Sequence, residues 1–211
     1  MKTDDLITLM THDASVGLRY GRALALALGA GIVVSVALLV VTVGLRHNMA
    51  SVFETARVLF KIIVTLVLAV LAARLATRIG RPGAETRFPA LLLGVPLVMV
   101  AAAVIIELFA LPDNAWRASL VGRNALFCLF FVPVLSVAPF AGLFWALKKG
   151  APQNPAAAGA AAGLAAGAIA AAIYAWHCPD DSPLFLATWY TAAIAGVTAA
   201  GALLGRRWLR W

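Results

Sequence analysis

Six long apolar runs, joined by short polar connections, are the feature that most limits how this chain can fold. Each run is close to the ~20 residues that an α-helix needs to cross about 30 Å of hydrocarbon. Hydrophobic residues make up 63% of the 211-residue chain and charged residues 12%, so the chain cannot cover its own apolar surface in water. The predicted spans are approximately 23–45, 52–73, 89–111, 124–147, 156–176 and 184–204.

The runs predict an all-α fold, a polytopic membrane bundle of six transmembrane helices. No segment alternates polar and apolar residues at period two, as the strands of a membrane barrel do. The first run is longer than the ~7–15-residue apolar region of a signal peptide, which favours a retained helix. We divide the chain into a cytoplasmic N-terminal segment, residues 1–22, and a six-helix transmembrane domain, residues 23–211.

The distribution of Lys and Arg predicts the orientation. If the N-terminus is cytoplasmic, 12 of the 17 basic residues fall on the cytoplasmic side. Both termini are then predicted to be cytoplasmic. The net charge of +8 reflects this bias and attraction to membrane lipid, and not direct nucleic-acid binding. The five remaining basic residues fall on the opposite, outer side of the membrane: Arg46, Arg57, Lys61, Arg117 and Arg123.

Two ionisable residues, Lys61 and Glu107, lie inside predicted spans, where such residues are costly and often functional. In one interpretation Lys61 extends outward to the interface, and Glu107 pairs with it or with a loop arginine. In the other, Glu107 is the proton or cation site of a small ion or solute transporter or channel. A purely structural membrane scaffold is a third alternative. No catalytic motif is recognisable, so we predict that the chain is not an enzyme.

The connection before the sixth run concentrates reactive side chains on the predicted outer face. His177, Cys178, Asp180 and Asp181 lie within five residues that include Pro179, and Ser182 and Pro183 follow them. The two aspartates are also typical of a solvated turn with a helix cap. The chain has one other cysteine, Cys128, which falls near the start of the fourth run and is predicted to face the same side of the membrane.

Several of these motifs together resemble one family. The opening Met1-Lys2-Thr3-Asp4-Asp5-Leu6-Ile7, the block from His177 through Cys178-Pro179-Asp180-Asp181-Ser182-Pro183-Leu184 to Phe185, and the following Trp189-Tyr190 are similar to the NrsF-type membrane proteins. The resemblance covers essentially the whole chain. It implies a multi-pass anti-sigma factor of the bacterial inner membrane that sequesters an extracytoplasmic-function sigma factor and releases it on a periplasmic signal.

The N-terminal segment has the chemistry that such a partner would need. On a helical wheel the apolar Leu6, Ile7, Leu9 and Met10 fall on one broad stripe, while Asp4 and Asp5 lie near the helix start. An acidic amphipathic segment suits the basic DNA-contacting surface of a sigma factor. An interfacial helix lying on lipid is the alternative, although such helices usually carry Lys or Arg. We predict that these six residues bind the partner.

The two cysteines are predicted to act together as an outward sensor. They could form a disulfide, which persists in an oxidising compartment, or capture a transient heavy-metal ion with Cys128, His177 and Cys178 as ligands. Asp180 and Asp181 belong to the same predicted sensor, and no permanent cofactor is expected. The alternative makes Cys128 a small packing residue and Cys178 an incidental loop thiol. The oligomeric state is not determined by the sequence.

Overall fold

A computed structural model describes residues 16–46, 55–81, 83–150 and 152–209. Within these ranges the chain consists of helices and their connections, without a β-strand. A π-helical segment, Leu186–Tyr190, joins the last two helices. The α-helices are α1 Val16–Thr42, α2 Ala56–Ile79, α3 Arg87–Leu92, α4 Gly94–Ala110, α5 Asp113–Val121, α6 Ala125–Lys148, α7 Pro155–Tyr174, α8 Pro183–Phe185 and α9 Thr191–Trp208.

Across the described part of the chain, six helical segments are long and apolar enough to cross a membrane. The predicted all-α architecture with six spans is therefore confirmed, while the predicted orientation of the termini stays a prediction. Helix α1 begins at Val16, so the last residues of the predicted N-terminal segment belong to the first helix. Helix α2 continues to Ile79, beyond the predicted end, because Arg74 and Arg78 end the apolar run but are good helix formers.

Two spans differ in detail from the predicted runs. The third is divided at Leu93 into α3 and α4, and Pro96 lies in the first turn of α4, where its missing N–H has little consequence. The fourth is preceded by the separate helix α5, which ends at Gly122 with φ +58°. The 24 residues of α6 rise about 36 Å and are enough to span the bilayer alone.

Helix α7 is the centre of the bundle and packs against α2, α6 and α9. Its alanines and glycines let neighbouring backbones approach closely, as small residues do in membrane helices. A Cβ placed on Gly163 would lie 2.5 Å from the Val197 carbonyl oxygen of α9. The glycine repeats of α7 and α9 therefore pack against each other within one chain.

Helices α1 and α6 form a second close contact. A Cβ on Gly31 would lie 2.6 Å from the Pro139 Cα atom. Pro139 has no N–H for the Leu135 carbonyl four residues earlier, and the Ser35 hydroxyl of α1 donates a hydrogen bond to that carbonyl at 2.7 Å. Helix α6 therefore continues through Pro139, and the Leu135 carbonyl that lacks its helical donor accepts the hydrogen bond that holds α1 against α6.

The bundle has two chemically different ends. At one end, which we call the loop end, residues 43–46, helix α5 with its flanking residues and the connection 175–182 lie together. At the opposite end the Gly80 carbonyl of the α2–α3 connection lies beside Gly150, and Lys148, Arg206 and Arg207 occupy the last turns of their helices.

Candidate functional site

The connection 175–182, here called the clamped loop, is held at the loop end by a buried lysine. Lys61 projects from the second turn of α2 and is 1% exposed. Its ammonium group donates hydrogen bonds to the carbonyl oxygens of Cys178 at 2.7 Å and Asp180 at 3.0 Å. The sequence had suggested that Lys61 extends outward to the interface. The side chain instead stays inside the protein, because the clamped loop supplies hydrogen-bond acceptors there.

Asp181 joins two basic residues to this loop. One carboxylate oxygen lies 2.6 Å from the Lys61 ammonium, and the other accepts a hydrogen bond from the Arg46 guanidinium at 2.5 Å. The backbone N–H of Arg46 also donates to the Trp176 carbonyl at 3.2 Å, and His177 Nδ1 lies 3.0 Å from the Gly44 carbonyl oxygen. The chain leaving α1 is thus attached to the clamped loop at three points.

Asp180 connects the same loop to α6. Its carboxylate accepts hydrogen bonds from the backbone N–H groups of Arg123, at 3.1 Å, and Asn124, at 2.8 Å. These donors precede the first turn of α6, where a negative charge interacts favourably with the helix dipole. A Cβ on Gly122 would lie 2.8 Å from the Asp180 Cγ atom. The predicted cap is present, but it serves a different helix from the one that follows Asp180.

Glu107 closes the clamped loop at its other end. The carboxylate accepts hydrogen bonds from the Ser182 hydroxyl at 2.8 Å and from the Leu184 backbone N–H at 3.0 Å. Its second oxygen lies 3.8 Å from the Arg57 guanidinium. Glu107 therefore pairs with an arginine of α2 and not with Lys61. It also attaches α4, in which Pro96 and Glu107 are the buried residues, to the start of α8.

Both cysteines are fully buried in one apolar cluster at the loop end. They are free thiols, and they share this cluster with Tyr174 and Tyr190. Burial raises the pKa of the Cys178 thiol above its ordinary value, although Lys61 opposes this shift. Because the thiolate is the reactive form, Cys178 is chemically protected while the loop is clamped.

The π-helical segment contributes Leu186 and Tyr190 to this cluster. Tyr190, its last residue, is 1% exposed, and its ring centroid is 6.0 Å from the Lys61 ammonium. The Trp189 indole N–H donates to the Leu120 carbonyl of α5 at 2.9 Å. π-helical turns often occur at functional sites, and this one brings α5, α9 and the clamped loop together.

The predicted site residues have different outcomes. Asp4, Asp5, Leu6, Ile7, Leu9 and Met10 lie outside the described residues, so their role stays a prediction. Cys128, His177, Cys178, Asp180 and Asp181 are all at the loop end. No three His, Cys, Asp or Glu side chains in the described ranges converge on a common metal position. In this arrangement His177 instead faces the Gly44 carbonyl, so metal capture by the two thiols and His177 would require the loop to rearrange.

Sequence reasoning missed the clamp formed by Lys61 and Arg46. The sequence did contain a signal for such ion pairs, because five basic residues were predicted on the outer side and the clamped loop contains two adjacent aspartates. Pairing them required knowledge of which helices are neighbours, since Lys61 and Cys178 are 117 positions apart.

The fold and the site together define a class: a polytopic helical protein of membrane-spanning type whose buried polar groups fix one loop over two thiols. The chain belongs to the NrsF family, described as "Negative regulator of sigma F", whose profile matches residues 13–211. This confirms the predicted family and the prediction that the chain is not an enzyme, because the family's role is regulatory.

Two relatives are similar over the full length of both chains. The "Probable anti-sigma-F factor NrsF" of Azospira oryzae is 34% identical over 221 residues. The "Anti-sigma-F factor NrsF" of Caulobacter vibrioides is 32% identical over 214 residues. No solved structure matches the chain.

Proposed function

We propose that this protein is an anti-sigma factor of the bacterial inner membrane that sequesters an extracytoplasmic-function sigma factor and releases it on a periplasmic signal. The observation that carries the proposal is full-length membership of the NrsF family, with two relatives named as anti-sigma-F factors. Six spans leave short connections and residues 1–22 as the regions available to a soluble partner. In this proposal both termini are cytoplasmic and the loop end is periplasmic.

The proposed contact is the acidic amphipathic segment that precedes α1. Leu6, Ile7, Leu9 and Met10 would enter an apolar groove of the sigma factor, and Asp4 and Asp5 would meet its basic surface. Because α1 is fixed to α6 by Ser35 and Gly31, a movement of α6 would displace the helix that carries this segment.

The proposed sensor is the pair Cys128 and Cys178. Formation of a disulfide would remove two protons and two electrons, which a periplasmic oxidant accepts, and a soft metal ion would instead displace the thiol protons. Cys128 lies on α6 and Cys178 in the clamped loop. Either reaction would therefore change the position of α6 relative to the loop, and the α1–α6 contact supplies a route to the opposite end.

The decisive experiment is a pull-down of the sigma factor with the detergent-solubilised full chain, comparing wild type with the Leu6→Asp/Leu9→Asp double variant. Each buried leucine contributes roughly 1.5–3 kcal/mol, so we expect binding to weaken by about a hundred-fold or more. A Thr8→Asp/Thr11→Asp variant adds the same charge away from the apolar stripe and serves as the control. Equal sigma binding by the leucine variant and wild type would exclude the proposed contact.

The sensor is tested separately with Cys128→Ser and Cys178→Ser single variants. Sigma release is measured in cells exposed to an oxidant or a heavy metal. We expect each variant to bind the sigma factor at rest but to lose the response. If both variants respond like wild type, the cysteines are not the sensor even though the anti-sigma role stands.

Orientation is tested by topology reporters fused at residues 82, 114, 153 and 181. We expect cytoplasmic signals at residues 82 and 153 and periplasmic signals at residues 114 and 181, because of the positive-inside rule. The opposite pattern would place the clamped loop in the cytoplasm and exclude a periplasmic sensor.

A further inference from the structure

Helix α5 is a nine-residue helix at the loop end of the bundle. It connects α4 with α6, each of which belongs to a candidate span, and none of its residues is buried. Trp116, Leu120 and Val121 are exposed to between 36% and 43%. A short helix with exposed apolar and aromatic side chains between two spans is typical of the interface with lipid headgroups.

An open cavity of about 620 Å³ lies beside α5, and the polar members of its lining are Asn114, Arg117, Arg123 and Asp180. No carboxylate among the described residues lies within 4.0 Å of the Arg117 or Arg123 guanidinium. The Asp180 carboxylate is already hydrogen-bonded to the backbone of Arg123 and Asn124. With respect to the part of the chain that the structure describes, the cavity therefore presents two guanidinium groups without a carboxylate partner, and one amide.

From this arrangement we infer that the cavity binds the phosphate group of a membrane phospholipid headgroup. Guanidinium groups form strong, charge-assisted hydrogen bonds with phosphate oxygens. The exposed apolar residues of α5 place the cavity where headgroup phosphates are the nearest anions, and they provide contact with the acyl chains of the same lipid.

The inferred lipid would act on the clamped loop. Arg123 offers its side chain to the phosphate, while its backbone N–H binds Asp180, which is two residues from Cys178. A bound lipid would hold the turn at Gly122 and so favour the clamped arrangement. This inference adds lipid dependence to the sensor and does not depend on sigma binding.

The test is native mass spectrometry of the full chain in a maltoside detergent, which has no phosphate, after addition of phosphatidylglycerol. We compare wild type with Arg117→Gln/Arg123→Gln. Two lost basic contacts predict about 30-fold weaker retention of one lipid, equivalent to about 2 kcal/mol. The control is Arg206→Gln/Arg207→Gln, which removes the same charge at the opposite end and should retain that lipid.

Three outcomes would overturn the inference. One is equal lipid retention by the loop-end variant and wild type. A second is displacement of the lipid by millimolar inorganic phosphate, which would identify free phosphate as the ligand. The third is a loss of lipid retention in Arg117→Lys/Arg123→Lys as large as in the glutamine variant, because the lysine variant keeps the charge and should retain part of the binding. The lysine variant also replaces the glutamine variant in the test if the glutamine variant does not fold.

Discussion

Replacing Lys61 with methionine should open the clamped loop. The change keeps most of the side-chain volume but removes the donor to the Cys178 and Asp180 carbonyls and the ion pair with Asp181. Breaking a buried ion pair costs roughly 3–5 kcal/mol. The low end, about 3 kcal/mol, applies because Arg46 still neutralises Asp181. The population with an open loop should then rise by about a hundred-fold.

The measurement is the rate at which a maleimide labels Cys178 in a Cys128→Ser background. When loop closing is faster than labelling, the rate follows the open population, so Lys61→Met should be labelled about a hundred times faster. Lys148→Met is the control, because it makes the same chemical change at the opposite end of the bundle. A folded Lys61→Met protein labelled within about threefold of wild type would refute the clamp.

Two further predictions concern packing and capping. Gly163→Leu should lower the thermal unfolding temperature in detergent, because its side chain would overlap the Val197 carbonyl, and overpacking costs roughly 1–3 kcal/mol or more. Gly196→Leu, where a Cβ meets no atom within 4 Å, should have little effect; equal loss in both would contradict the packing account. Asp180→Ala should cost about 1 kcal/mol and speed amide exchange at residues 123 and 124, measured by mass spectrometry. Asp113→Ala should leave those amides unchanged, and unaltered exchange in Asp180→Ala would exclude the cap.

Much of the fold could be predicted because membrane insertion depends on local composition. A run of about 20 apolar residues fulfils the requirement for spanning the bilayer without reference to any other part of the chain. The bounds were less predictable, since the helical backbone continues past the apolar run, as α2 does at Arg74 and Arg78. The break at Leu93 and the separate helix α5 also went unpredicted, because hydropathy does not distinguish a continuous helix from two consecutive ones.

The placement of Cys128 and Cys178 at one end followed from counting spans. Their burial in a common cluster did not, because it depends on how α6, α7 and the clamped loop pack. For Glu107 too, the position along the chain was predictable but the contacts were not. Its position in an apolar run made it a candidate for transport or pairing, whereas its contacts with Ser182 and Leu184 assign it to a helix start.

The sequence by itself determined the number of spans, the grouping of the reactive residues at one end and the residues that carry the family resemblance. Each of these depends on local composition or on order along the chain. Tertiary structure alone decided that Lys61 holds the clamped loop and that Asp180 caps α6. The first contact joins residues that are 117 positions apart in the sequence, and the second joins residues that are 56 positions apart. Such pairs depend on which helices become neighbours, and helix packing is set by small residues such as Gly31 and Gly163 acting together across the whole bundle.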